Sequence, residues 1–102
     1  MNYQSVAAAG DLADGEMRAV RVGGKDVLLA NVAGEFYAVD GICSHALGYL
    51  DEGSLAGYTI HCPLHRGSFD IRTGAPLSAP ATVPIRCYPV KIEAAQVCVA
   101  TE

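Results

Sequence analysis

An all-β domain, a small antiparallel sandwich or barrel, is what this sequence predicts, and three observations predict it. Short runs rich in β-branched and aromatic residues recur along the chain. Turn residues break those runs at close intervals. No segment joins a long helical period to end caps, and the best helical candidate, SVAAAGDLADGE (5–16), is interrupted by Gly10. At 102 residues the chain reads as one domain, 1–102. A chain of this size buries about 60–68% of its unfolded surface, enough for one core and little more.

The elements follow in order. MRAVRV (17–22) runs into the turn GGKD and then VLLANV (27–32). AGE leads to FYAVD (36–40), so two hairpins are expected in succession. YTIHC (58–62) and SFDIR (68–72) read as a further pair of strands. PIRCYPVKIE (84–93) and QVCVAT (96–101) form a last hairpin. Pro84 and Pro89 predict an edge or a bulge in the first of these. With Ala94 at the centre of its turn, Cys98 would face Val90. Two segments do not read as strands: GICSHALGYLDEGSLAG (41–57) and TGAPLSAPAT (73–82). Both exceed the roughly 4–6 residues usual for a connection, and long loops on a rigid β-frame are commonly functional. The chain shows no internal repeat, low-complexity tract or interdomain linker.

Composition excludes several classes of function. Half the residues are hydrophobic (51%), which argues against disorder. The net charge is −4 with only seven Lys and Arg, so no basic patch is available for nucleic acid. An acidic carrier that docks on basic faces of partner proteins fits this balance. The N-terminal MNYQSVAAAGDLADGE has no basic region and no long apolar run, so no secretion signal is expected. No stretch is long enough to span a membrane. The cytoplasm is the expected compartment, where four cysteines point to metal binding or catalysis rather than to disulfides.

Two Cys/His pairs stand out: Cys43-Ser44-His45 in the first long segment, then sixteen residues, then Cys62-Pro63-Leu64-His65 between the runs YTIHC and SFDIR. Taken alone, the second pair could be a metal clamp, a nucleophile with its base, or a coincidence within a loop. The two pairs together favour metal, because thiolate with imidazole suits zinc or an iron–sulfur cluster. Residues i and i+2 of an extended chain lie about 6–7 Å apart on one side, wide for one ion and suited to two. Structural zinc motifs commonly place the cysteines together before the histidines; here the order is Cys, His, Cys, His. A zinc-stapled β-module remains the competing metal reading.

The pattern C-x-H-(16)-C-x-x-H resembles the Rieske 2Fe–2S motif. The flanking text agrees: FYAVDGICSHALGYLDEG resembles the first cluster loop and its approach, and CPLHRGSFDIRTGAP resembles the second. The resemblance covers about residues 20 to 100, with Pro63, Gly67 and Phe69-Asp70 in place. It implies the Rieske fold with a cluster-binding subdomain at about 41–82. It also implies one 2Fe–2S cluster per chain, with Cys43 and Cys62 on the inner iron and His45 and His65 on the outer. A loop containing Pro76 and Pro80 would cover the cluster.

Departures from the pattern select a branch of the family. Respiratory-chain members carry two further cysteines joined by a disulfide; the matching positions here are Gly48 and Leu64. They also place Ser and Tyr after the second histidine, where this chain has Gly67 and Phe69. Lost donors at sulfur predict a potential at the low end of the Rieske range, about −150 mV. The chain therefore resembles the soluble ferredoxin components of bacterial aromatic-ring-hydroxylating dioxygenase systems. The resemblance implies an electron carrier rather than an enzyme, a monomer with neither nucleic acid nor membrane as a partner. Its electron would come from an NAD(P)H-dependent flavoprotein ferredoxin reductase and go to a terminal oxygenase. The alternative is the small Rieske-like subunit of an assimilatory nitrite reductase, many of which lack the ligands that are all present here. Arg66 stands where Gly is expected, with no assigned role.

The remaining polar and sulfur residues carry plainer expectations. Cys87 and Cys98 lie in apolar strands and read as small packed hydrophobes. His61 alternates away from Cys62 and should be at the surface. Asp51-Glu52 reads as a solvated turn.

Overall fold

Three two-residue turns set the frame. Gly23 and Gly24 (φ 58° and 80°), Ala33 and Gly34 (55° and 87°), and Ala94 and Ala95 (50° and 63°) are all left-handed. Two successive left-handed residues make the turn whose twist matches that of antiparallel strands. Glycine holds this conformation without steric cost at 23–24, whereas each alanine of the third turn costs about 1–2 kcal/mol. The computed structural model describes residues 2–43, 48–63, 67–78, 81 and 83–101.

Among these residues the strands are β1 (Gln4–Ala8), β2 (Met17–Val22), β3 (Lys25–Val32), β4 (Glu35–Asp40), β5 (Ser54–Ala56), β6 (Thr59–His61), β7 (Ser68–Asp70), β8 (Pro76–Ser78), β9 (Cys87–Tyr88), β10 (Val90–Glu93) and β11 (Gln96–Val99). They form three antiparallel sheets, ordered β2-β3-β4-β9, β1-β11-β10 and β5-β6-β7-β8. The all-β expectation holds.

Strand β3 explains how the sheets share a core. Its side chains alternate, so Leu28, Ala30 and Val32 enter one apolar cluster while Val27 and Leu29 enter another. Both faces are covered, which is why this segment is a continuous apolar run rather than an alternating one. The second cluster packs against Val97 and Val99 of β11. The first packs against Ile60 and Phe69 of the small sheet and includes Cys43 and Cys62.

Several expectations need correction. The helical candidate at 5–16 is occupied by all of β1 but its first residue and by a single 3-10 turn at Ala9–Asp11. β1 is alanine-rich, yet it gains its ladder by pairing with β11 through a bulge between Ser5 and Ala7; pairing overrides a weak local preference. β5 and β8 lie inside segments that did not read as strands, and each is three residues long. The run at 84–93 is cut at Pro89 into β9 and β10. Cys98 faces Lys91, not Val90, because the turn is centred between Ala94 and Ala95 rather than on Ala94. Cys87 is exposed and Cys98 half-buried, so neither is the packed hydrophobe expected of it. Cys87 sits on β9, at the edge of its sheet, and reaches the Arg72 carbonyl at 3.7 Å. His61 is exposed as expected, and Asp51-Glu52 is an exposed 3-10 turn.

Candidate metal centre

Each Cys/His stretch begins on a hairpin arm. In the first, Leu50 N–H donates to the Gly41 carbonyl at 2.8 Å, Ile42 bridges Tyr49, and Cys43 N–H donates to the Gly48 carbonyl at 2.9 Å. In the second, β6 and β7 pair Thr59 with Asp70, Ile60 with Phe69 and His61 with Ser68. Cys62 N–H then donates to the Gly67 carbonyl at 2.7 Å. Both cysteines thus close a hairpin by the same bond to a glycine five residues later. Their side chains are nearly buried, at 4% and 5% exposure, within one apolar cluster.

His45 and His65 lie outside the described residues, as do Leu64, Arg66 and Pro80. Among the described residues no group of three His, Cys, Asp or Glu could hold a metal. What the structure brings together is the thiol half of the expected donor set. Two cysteines on equivalent hairpin arms, drawn into one apolar cluster, fit a cluster that binds thiolate. No disulfide forms among the described cysteines. Position 69 is a fully buried phenyl ring, and Gly67 has no side chain, so neither offers a hydroxyl.

The two arms are held by different means. Asp40 ends β4, three residues before Cys43. Its Oδ1 accepts from the Tyr88 hydroxyl and its Oδ2 from Arg86 N–H at 2.9 Å, while its own N–H donates to the Arg86 carbonyl at 2.9 Å. Gly41 N–H donates to the Asp26 carbonyl at 2.9 Å. Burial, then the bond to Asp40, pushes the Tyr88 hydroxyl up to about 12. Two cations approach the ring of Tyr88, Lys25 Nζ at 6.0 Å and the Arg86 guanidinium at 5.6 Å from its centre.

Around the second arm, packing dominates. Gly53 abuts the root of the hairpin so closely that a Cβ there would stand 1.8 Å from the His61 carbonyl oxygen. Ser68 and Ser78 share a hydroxyl hydrogen bond of 2.7 Å that ties β7 to β8. Asp70 binds Arg72 through both carboxylate oxygens, at 3.1 and 3.0 Å, and the Arg72 guanidinium lies 4.2 Å over the Tyr58 ring. The hydrogen bond from Arg72 holds the Asp70 carboxyl below its ordinary range. Ala81 and Ile85, from the segment after β8, complete the apolar cluster around the cysteines.

Sequence reasoning did not find Asp40, Tyr88, Gly53 or the Ser68–Ser78 pair. Asp40 and Tyr88 are 48 positions apart and meet only because β9 pairs with β4. No local pattern announces such a contact.

Among the described residues no helix is long and apolar enough to cross a membrane. Comparison with known proteins agrees with the geometry. The ferredoxin component of the naphthalene 1,2-dioxygenase/salicylate 5-hydroxylase systems of Ralstonia sp. is 44% identical over 92 residues, 90% of this chain and 88% of the relative. The ferredoxin of carbazole 1,9a-dioxygenase from Nocardioides aromaticivorans IC177 has a TM-score of 0.96 at 36% identity, covering 100% of both chains. A chain from the complex of reduced oxygenase and oxidized ferredoxin in carbazole 1,9a-dioxygenase has a TM-score of 0.93 at 40% identity, covering 98% of this chain and 94% of its own. Solved structures named as nitrite reductase small subunits match at 19% and 20% identity, a likeness of fold alone. The model of the Rieske [2Fe-2S] domain matches residues 2–89. On its paired cysteine hairpins, its sheets and this match, the chain belongs to the Rieske [2Fe-2S] domain family.

Proposed function

We propose that this chain is the ferredoxin component of an aromatic-ring-hydroxylating dioxygenase system, an electron carrier rather than the oxygenase itself. It takes one electron from an NAD(P)H-dependent flavoprotein ferredoxin reductase and delivers it to the terminal oxygenase. It works as a cytoplasmic monomer with one Rieske 2Fe–2S cluster, and residues 41–82 are the part that holds it. Cys43 and Cys62 bind the inner iron, and His45 and His65 the outer. The observation that carries this reading is the matched pair of hairpins, each closed at a buried cysteine.

When bound, the cluster supplies one-electron redox chemistry at a potential set by its ligands and surroundings. Cys43, Cys62, His45 and His65 would hold it, and the apolar cluster around the two buried cysteines would keep water from the thiolate ligands. Cys43 and Cys62 are presented from two independently hydrogen-bonded arms. Phe69, Ala81 and Ile85 pack in the apolar cluster that contains both thiols. Phe69 and Gly67 offer no hydroxyl donor, which supports a potential near the low end of the Rieske range, about −150 mV.

The test is spectroscopic. Purified protein should hold two irons and two sulfides and, once reduced, give the rhombic EPR signal of mixed His/Cys ligation. Cys43→Ser and Cys62→Ser should each abolish the cluster. His65→Cys, if it retains a cluster, should lower the potential. A colourless protein with one zinc and no sulfide would overturn the reading, and an unchanged potential in His65→Cys would overturn the ligand assignment.

A further inference from the structure

The chain has eleven Asp and Glu residues, and the one nearest in sequence to either cysteine is Asp40, three positions before Cys43. Three residues of extended chain span at most about 10–11 Å, comparable to the Debye length of about 8–10 Å in ordinary buffers. Unlike a freely rotating carboxylate, Asp40 has a fixed place. Tyr88 Oη and Arg86 N–H occupy its two oxygens, and its own N–H is bonded to Arg86. The same residue ends β4 at the point where the chain turns into the Cys43 arm, so its bonds also fix where that arm starts. The side chains on Tyr88 are cationic, Lys25 and Arg86. Asp40 and Tyr88 line an open cleft of ≈ 360 Å³ together with Lys25 and Asp26, whose carboxylate is ion-paired with Arg21 at 3.4 Å.

We propose that Asp40 is a positioning residue of the Cys43 hairpin and a fixed negative charge that holds down the reduction potential of the carrier. This rests on the ferredoxin reading above. A negative charge near a redox centre opposes the arrival of an electron, and a half-buried one, as Asp40 is, is less screened than a fully exposed one. Tyr88 restrains the effect: its hydroxyl donates to the carboxylate and draws off part of the charge. Removing the charge and removing the donor should therefore act in opposite directions. That separates an electrostatic role from simple loosening of the arm, which would move both variants the same way.

The experiment is a redox titration of the holo-protein with its EPR spectrum, for wild type, Asp40→Asn and Tyr88→Phe. Leu12→Ala serves as a core truncation in the apolar cluster shared with Tyr88 that leaves the Asp40 bonds in place. Asp40→Asn is expected to raise the potential and Tyr88→Phe to lower it. Leu12→Ala should reduce the melting temperature with no shift in potential. Unchanged potentials in Asp40→Asn and Tyr88→Phe, or shifts of one sign in both, would overturn the proposal. A wild-type protein with no rhombic signal would overturn the ferredoxin reading and this inference with it; a normal wild-type signal with unresponsive variants overturns the inference alone.

Discussion

The two cysteine arms end alike and begin differently. Each closes with a cysteine N–H bonded to a glycine carbonyl, at 2.9 Å in the first arm and 2.7 Å in the second. Behind Cys43 the support is polar: Asp40 gathers Tyr88 and Arg86, and Gly41 bonds to Asp26 on the neighbouring strand β3. Behind Cys62 the support is a three-residue strand pair over a buried phenyl ring, wedged by Gly53. The first arm is thus tied to the large sheet by specific hydrogen bonds, and the second is carried by the small sheet and by packing. Equivalent backbone bonds at the two cysteines have been reached by two unlike means. Perturbations that act on one means should separate the arms, and perturbations of the shared core should not.

The largest effect should fall on both arms at once. Leu50 of the first arm and Phe69 of the second are fully buried in the same apolar cluster as the two cysteines. Phe69→Ala should cost about 3–5 kcal/mol, and Leu50→Ala about 2–5 kcal/mol. Against a total stability of about 5–15 kcal/mol, each is a large fraction. The check is chemical denaturation with hydrogen exchange on the peptides containing the Cys43 and Cys62 amides. Both amides should lose protection in both variants. Loss confined to the mutated arm would show that the cluster is two cores rather than one.

The frame was far more legible than the supports. β2 was readable to the residue, because MRAVRV is bounded by a Gly-Gly turn that any sequence reading recognises. The three hairpins around 23–24, 33–34 and 94–95 follow from turn chemistry in two cases; the third, Ala94-Ala95, hid its centre because alanine gives no sign of a left-handed conformation. That single missing signal moved the partner of Cys98 by one residue. The cysteine positions were legible because their spacing is a local pattern. What holds them was not. Tyr88 meets Asp40 and Ser78 meets Ser68 only through tertiary pairing. Gly53 looks like any turn glycine until the His61 carbonyl is seen against it. β5 and β8 are three residues each and take their register from β6 and β7, so the local sequence has little to say about them.

A smaller and more selective effect is expected at Gly53. Its backbone (φ −86°, ψ −146°) is not left-handed, so the requirement for glycine there is one of space. A methyl group would meet the His61 carbonyl oxygen at 1.8 Å and the Pro63 ring at 3.2 Å. Backbone cannot rotate away as a side-chain end can, so Gly53→Ala must displace the root of the Cys62 arm. Overpacking of this kind costs about 1–3 kcal/mol. Hydrogen exchange should speed up at the Cys62 amide and leave the Cys43 amide protected, because the Asp40 network is untouched. Equal loss at the two amides would mean that the polar anchor does not isolate the first arm.

The smallest effects are titrations, and they should divide the arms by pH. Asp70, in the strand that forms one side of the second arm, has its carboxyl held below its ordinary value of 3.8, first by the side-chain hydrogen bond from Arg72. A lowered folded value means that the unfolded chain binds the proton first as pH falls. This contribution is therefore complete above about pH 4 and is lost as pH drops through the lower folded value. Tyr88, behind the first arm, moves the other way, from 10.0 to about 12, by burial and then by its bond to Asp40. Here the unfolded chain loses its proton first as pH rises, so the contribution is complete below pH 10 and is lost between 10 and 12. Subtracting melting temperatures across pH, Arg72→Ala should remove part of the acid limb alone and Tyr88→Phe part of the alkaline limb alone. An Arg72→Ala profile parallel to wild type below pH 4 would remove Asp70 from the support of the second arm. A parallel Tyr88→Phe profile above pH 10 would do the same for Tyr88 and the first.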